Sequence, residues 1–340
     1  MDAAAIEAMM AQIPKPKNFW QKHFGTDMLV ASWLFILFSV EYLAVAILYL
    51  YDGYNNFTDD TASDWTSYVF YYWAQLIAAL GYLVGSCFFL TFSYPESFSE
   101  MFKISEETIS NMTPLEKYVT GTSFLQGLWY FILSSLPYVV ACVFAMIQEP
   151  SSYFGYMMLG VCVVMFSIMG IWLVACFPEN MIANNGIGSS HVYDKFLSKV
   201  CGGCDSFFKV HAASDFLVGS WLFTMVSALG AVGTLGFIAD EPSNPLPWLL
   251  FTMSLGFTVG TYLFAYTAYP ENMFPPTTMV WDACLARCCG VKEDRGGGGG
   301  GVDVERPSDE NTPLKEGYSA GEEGASNAAA AAAAAAPKEE

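Results

Sequence analysis

Asp27-Met28-Leu29-Val30-Ala31-Ser32-Trp33-Leu34-Phe35 opens an apolar run that continues to Tyr51. Asp215-Phe216-Leu217-Val218-Gly219-Ser220-Trp221-Leu222-Phe223 repeats it far downstream. Ser123-Phe124-Leu125-Gln126-Gly127-Leu128-Trp129-Tyr130-Phe131 is a looser third copy. In each copy a serine follows the tryptophan by six positions: Ser39, Ser135 and Ser227. The apolar run that comes after each of these ends alike, at Tyr94-Pro95-Glu96-Ser97, Phe177-Pro178-Glu179-Asn180 and Tyr269-Pro270-Glu271-Asn272. From Trp129 to Pro178 and from Trp221 to Pro270 the distance is 49 residues, and from Trp33 to Pro95 it is 62. The 13 extra residues fit a longer loop around Asn56. Self-similarity of this kind marks a repeated structural unit.

Six apolar runs result, at Met28–Tyr51, Tyr68–Phe92, Thr122–Ile147, Tyr153–Phe177, Phe216–Ala239 and Leu246–Ala268. Each has the ~20 residues a helix needs to cross a bilayer, and each is too long and too continuous for a barrel strand. The 340 residues are 54% hydrophobic and only 14% charged, which excludes an ordinary soluble enzyme. The fold expected is an all-α membrane protein: six transmembrane helices as three parallel two-helix hairpin repeats, with short interfacial helices. The flanks repeat as well. Phe19-Trp20…His23…Thr26-Asp27 matches Phe207-Phe208…His211…Ser214-Asp215, and Val192-Tyr193-Asp194 matches Val280-Trp281-Asp282.

The repeats set the expected boundaries: segment 1–17, hairpins over 18–118, 119–205 and 206–290, and a tail over 291–340. The tail carries 11 acids, 5 bases, six consecutive glycines and the alanine run Ala328–Ala336, a composition that predicts disorder. The loops after the first, third and fifth runs have no Lys or Arg, and all 14 basic residues fall on the other side. By the positive-inside rule both termini are expected to be cytoplasmic. Met1–Ile13 lacks the basic start of a cleaved signal peptide. A net charge of −19 argues against nucleic acid. The expected partners are the lipid bilayer and either other membrane proteins or a second copy of the chain.

The Trp-Leu-Phe openings, with Gly85-Ser86 inside Leu83–Leu90, resemble the two-span YrhK-like membrane family. The resemblance implies a hairpin fold for the spans and assigns no activity. Mitochondrial carriers also repeat a hairpin three times, but their charged signature ends the odd spans. Here Pro-Glu ends the even ones, and no Lys or Arg follows within four residues.

Glu41 is the only acid well inside a span, and no Lys or Arg lies in any span to pair with it. An intramembrane carboxyl is a candidate for ion or proton coupling. The plain alternative is a neutral acid hydrogen-bonded to Ser39, Gln75 or Tyr42. Glu96, Glu179 and Glu271 offer a second candidate path, a carboxylate ring of the kind that selects cations. The plainer reading places each proline at the start of a new helix and each glutamate in its first turn, where the helix dipole favours an acid.

Asp27 and Asp215 read as helix N-caps or first-turn acids, and Trp33, Trp129 and Trp221 as packing or interface anchors. Asn56-Phe57-Thr58 is a glycosylation acceptor in an outer loop, while Asn111-Met112-Thr113 matches on the cytoplasmic side. Cys201, Cys204, Cys284, Cys288 and Cys289 lie close to the cytoplasmic face. Reversible acylation suits them better than zinc, because adjacent Cys288-Cys289 is poor metal spacing, and the plain alternative is free cytosolic thiols. No phosphate loop, dinucleotide fingerprint or catalytic triad pattern is present, so no cofactor or metal is expected. The sequence therefore points to a non-enzymatic packing or scaffold protein, with a small-solute or ion transporter as the alternative. A transporter needs a wet path on the bundle axis, and a scaffold does not.

Overall fold

An apolar run that meets no water must pair its own backbone groups, and in the computed structural model each of the six runs forms a helix. The structure describes residues 15–56, 62–101, 104–148, 153–183, 210–212, 214–273 and 276–289. The long helices are α1 (Asp27–Asn56), α2 (Ala62–Ser93), α3 (Ser123–Gln148), α4 (Tyr153–Ala175), α5 (Asp215–Asp240) and α6 (Pro245–Thr267). Five of them contain stretches long and apolar enough to cross a membrane: Asp27–Gly53, Phe70–Ser93, Ser123–Phe144, Asp215–Asp240 and Pro245–Thr267. In α4 the qualifying apolar stretch is shorter, Leu159–Ala175.

Polar residues just outside the apolar runs start the helices. Thr26, Thr122 and Ser214 accept the N–H groups of Leu29, Leu125 and Leu217 at 3.3, 3.1 and 3.1 Å, satisfying donors that the first turn leaves open. These residues, not Asp27 or Asp215, are the caps of α1 and α5, and the two aspartates stand in the first turn. At the other end of the even helices, Pro95, Pro178 and Pro270 each start a short helix: Pro95–Met101, Pro178–Ala183 and Pro270–Met273.

Each long helix packs on its neighbours in the chain, and α6 packs back on α1, so the six close into a ring. The inside of the ring is aromatic. Phe35, Phe131 and Phe223 stand two residues after the three tryptophans; Phe89, Trp172 and Phe264 stand six before the three prolines. All six are at most 5% exposed and share one core cluster with Met28, Phe124 and Phe216. The Phe35 ring meets Phe89, Phe223, Phe257 and Phe264 at centroid separations of 6.1, 5.8, 5.4 and 5.3 Å, all edge-on. Phe89 stacks on Phe124 at 4.3 Å, and Trp172 on Phe216 at 5.8 Å. Each such aromatic pair contributes about 0.5–1.5 kcal/mol beyond its buried area.

Small residues bring the neighbouring helices α2 and α3 into backbone contact. A Cβ on Gly85 would lie 2.8 Å from the Gly127 carbonyl, and one on Gly127 would lie 2.8 Å from the Gly85 carbonyl. Helix association in lipid draws on such close packing, because burying apolar surface from lipid gains little. The outer face is mostly apolar: Leu37, Val40 and Ile47 on α1, Leu133 and Phe144 on α3, and Met225, Leu229 and Val232 on α5 are all exposed. Exposed apolar surface on every side is the pattern of a protein whose solvent is lipid.

Candidate functional site

The polar chemistry collects at the end of the ring that holds the tryptophans. His23 Nδ1 and Tyr94 OH are 2.5 Å apart, and His211 Nδ1 and Tyr269 OH are also 2.5 Å apart. The rings cross at 84° in the first pair and 88° in the second. Trp221 Nε1 donates to the Tyr269 oxygen at 3.1 Å. The Tyr269 hydroxyl thus bridges the Trp221 indole and the His211 imidazole. In the first cluster the Trp33 indole N–H is buried without a partner. Burial, and then the neighbouring Glu96 carboxylate, hold the Tyr94 phenol above its ordinary pKa of 10.0.

Among the described residues the middle segment has no such pair. Phe177 replaces the tyrosine, and Val119 stands ten residues before Trp129, where the other copies have histidine. Tyr118 instead packs edge-on against Phe177 at 5.1 Å, and Trp129 Nε1 donates to the Tyr118 carbonyl at 2.7 Å. The hydroxyl and the imidazole are thus present together or absent together. Both signals lie in the quoted repeats, yet the pairing is not read from either alone.

Asp27 is fully buried and reaches the segment that follows α6. Its two carboxylate oxygens accept the backbone N–H groups of Val280 at 2.7 Å and Met279 at 3.2 Å. Its own N–H donates to the Thr277 carbonyl at 2.8 Å. It therefore caps the segment after α6, which continues through the π-helical turn Trp281–Leu285 and the helical turn Ala286–Cys288.

Glu41 does not stand on the ring axis. It is half-buried on α1, where Thr252 Oγ1 of α6 donates to Glu41 Oε1 at 2.5 Å. The exposed Thr252 places the bond at the outer edge of the α1–α6 seam. Of the expected partners, Ser39 pairs with Ser86 at 3.0 Å instead. Because Ser86 spends its single proton on the Tyr82 carbonyl, Ser39 is the donor. Away from the tryptophan end the interior carries hydroxyls: those of Tyr71 and Tyr138 lie 2.9 Å apart, and Tyr42 meets Tyr82 edge-on at 5.8 Å. Gln75 is 7% exposed and its Oε1 has no hydrogen-bond partner.

The three glutamates of the Pro-Glu turns follow the helix-starting prolines directly. Glu96 and Glu179 are first-turn acids, and Glu271 lies at the same position of Pro270–Met273. Glu179 pairs with Lys117 at 2.5 Å beside a shallow groove of about 540 Å³ that Ser110 and Tyr118 help to line. That pairing holds the Lys117 ammonium above its ordinary pKa of 10.5. Thr113, from the second glycosylation match, makes a reciprocal cap: its N–H and hydroxyl donate to Glu116 Oε2 at 2.8 Å each. Cys284 and Cys288 are exposed and Cys289 is half-buried. Asn56 ends α1, and Cys201, Cys204 and the 291–340 tail lie outside the described residues, as does the side chain of Asn56.

No protein-family model, no curated protein and no solved structure matches the chain.

Proposed function

We propose that the chain is a six-span integral membrane protein, built as three parallel hairpins with both termini cytoplasmic, that serves as a non-enzymatic packing or scaffold unit. The observation that carries this reading is the filled ring axis, where aromatic side chains from all six helices meet in one cluster. A transport path along the axis would have to part the rings of Phe35, Phe89, Trp172 and Phe264, which are at most 1% exposed. The hairpin reading is supported by register: positions that match by count from Trp33, Trp129 and Trp221, and from Pro95, Pro178 and Pro270, supply the same core cluster. The α4 helix, 23 residues from Tyr153 to Ala175, would be the sixth span. The orientation rests on the one-sided distribution of Lys and Arg.

The test is flux through liposomes reconstituted with the full chain, loaded in turn with a pH dye, a potassium reporter and a neutral osmolyte. The expected rates equal those of protein-free vesicles. A rate above that background which falls in Glu41→Gln would replace the scaffold reading with a transporter.

A further inference from the structure

We infer that Cys284 and Cys288 are sites of thioester acylation by long-chain fatty acids. The placement on the cytoplasmic side rests on the orientation proposed above, while the geometry stands on its own. Asp27, the first residue of α1, holds the N–H groups of Met279 and Val280 and donates its own N–H to Thr277. The C-terminal segment is therefore tied at the depth where α1 begins. Trp281 is 6% exposed and anchors the segment on the bundle. Cys284 and Cys288 are four residues apart, share a helix face and are both exposed. At about 1.5 Å per residue they lie some 6–12 Å along the segment from its capped start.

The surroundings are those of a membrane interface. The helix Phe19–Phe24 packs on the Trp281–Leu285 turn and leaves Phe19 63% and Trp20 48% exposed. Aromatic side chains in that position sit at headgroup level. Cys284, on the turn packed by that helix, is at the depth where the carbonyl of a membrane-inserted acyl chain resides. The co-reactant is a long-chain acyl-CoA. The cysteine sulfur bonds to the acyl carbonyl carbon, the bond from that carbon to the coenzyme A sulfur breaks, and the cysteine proton leaves on the released thiol. Nothing is oxidised or reduced. Two chains on one helix face would hold the segment flat on the bilayer, whereas a single chain gives only marginal anchoring.

The experiment is hydroxylamine-dependent thiol capture from membranes of cells expressing the full chain. Free thiols are blocked first, and an impermeant maleimide is applied in parallel to intact and to permeabilised cells. Capture is expected from the wild-type chain, to fall at least fivefold in the Cys284→Ser/Cys288→Ser variant, and to persist in Cys87→Ser, whose exposed thiol lies within α2. Absence of capture from the wild type, or undiminished capture from the double variant, overturns the inference. Maleimide reaction in intact cells overturns the orientation as well. Maleimide reaction only after permeabilisation, with no capture, overturns acylation alone.

Discussion

The Asp27 carboxylate accepts the backbone N–H of Val280 at 2.7 Å, joining residues 253 positions apart. The same carboxylate takes the Met279 N–H at 3.2 Å and is fully buried. A buried carboxylate needs such donors, and here they are the open amides of another segment's first turn. Asp27→Ala should cost about 1 kcal/mol, the usual loss for an N-cap. Hydrogen exchange should quicken at Met279 and Val280 and stay unchanged in the middle of α1. Asp27→Asn, which keeps one acceptor oxygen, should show a smaller effect.

Gly127→Ala places a methyl group 2.8 Å from the Gly85 carbonyl and 2.9 Å from the Phe89 ring. Backbone cannot yield as a flexible side chain does, so α2 and α3 must separate. A loss of about 1–3 kcal/mol is expected, the range of an overpacked core. Gly233→Ala, with no neighbour within 4 Å of the new methyl, should leave stability unchanged or slightly raised. Thermal unfolding in one detergent compares the two.

Tyr269→Phe removes two hydrogen bonds, one to His211 and one from Trp221. Tyr94→Phe removes only the bond to His23, since Trp33 does not donate to Tyr94. The first variant should be the more destabilised by about 1 kcal/mol. Indole emission should change in Tyr269→Phe and disappear as a difference when Trp221→Phe is added.

Glu41→Gln keeps a side-chain oxygen that can accept the Thr252 hydroxyl proton. Its melting temperature should match the parent's. Glu41→Leu and Thr252→Val should each lose about 0.6 kcal/mol, the mean for a side-chain hydrogen bond between helices in lipid. A double-mutant cycle in which the two losses add fully would show that the bond contributes nothing.

Glu116 carries a pH dependence of known sign. Hydrogen bonds from the Thr113 backbone N–H, then from its hydroxyl, hold the Glu116 carboxyl below its ordinary pKa of 4.5. The folded value is lower than the unfolded one, so the cap contributes fully above pH 4.5 and is lost as pH falls through the depressed value. Exchange protection at Thr113, corrected for intrinsic rates, should drop over that window and show no such step in Glu116→Gln.

Helical periodicity and run length made the long helices legible, because each depends on residues near in sequence. Counting from Trp33, Trp129 and Trp221 also finds Phe35, Phe131 and Phe223, which share the core. The His23–Tyr94 and His211–Tyr269 pairs were written in two separate motifs. Only their joint loss at Val119 and Phe177 links them. Thr252 gave no sign of its bond to Glu41: the residues are 211 positions apart, and threonine is common in apolar helices. Asp27 is a first-turn acid, one of its two expected roles, but its partners in the distant segment were not legible. A carboxylate at a helix start suits its own first turn, and nothing local reveals that Thr26 already fills that place while Val280 arrives from the far end of the chain.

Because α6 packs on α1 and Asp27 waits for Met279, the ring cannot close until the last hairpin has been made. At about 5–20 residues per second, the 252 residues between Asp27 and Met279 take about 13–50 s to synthesise. Throughout that interval the nascent first hairpin holds an unsatisfied carboxylate at its entrance and a bare seam along its flank. Water at the interface, the insertion machinery or a membrane chaperone must shelter both. Truncation before Met279 would leave that half-built intermediate exposed to cellular quality control.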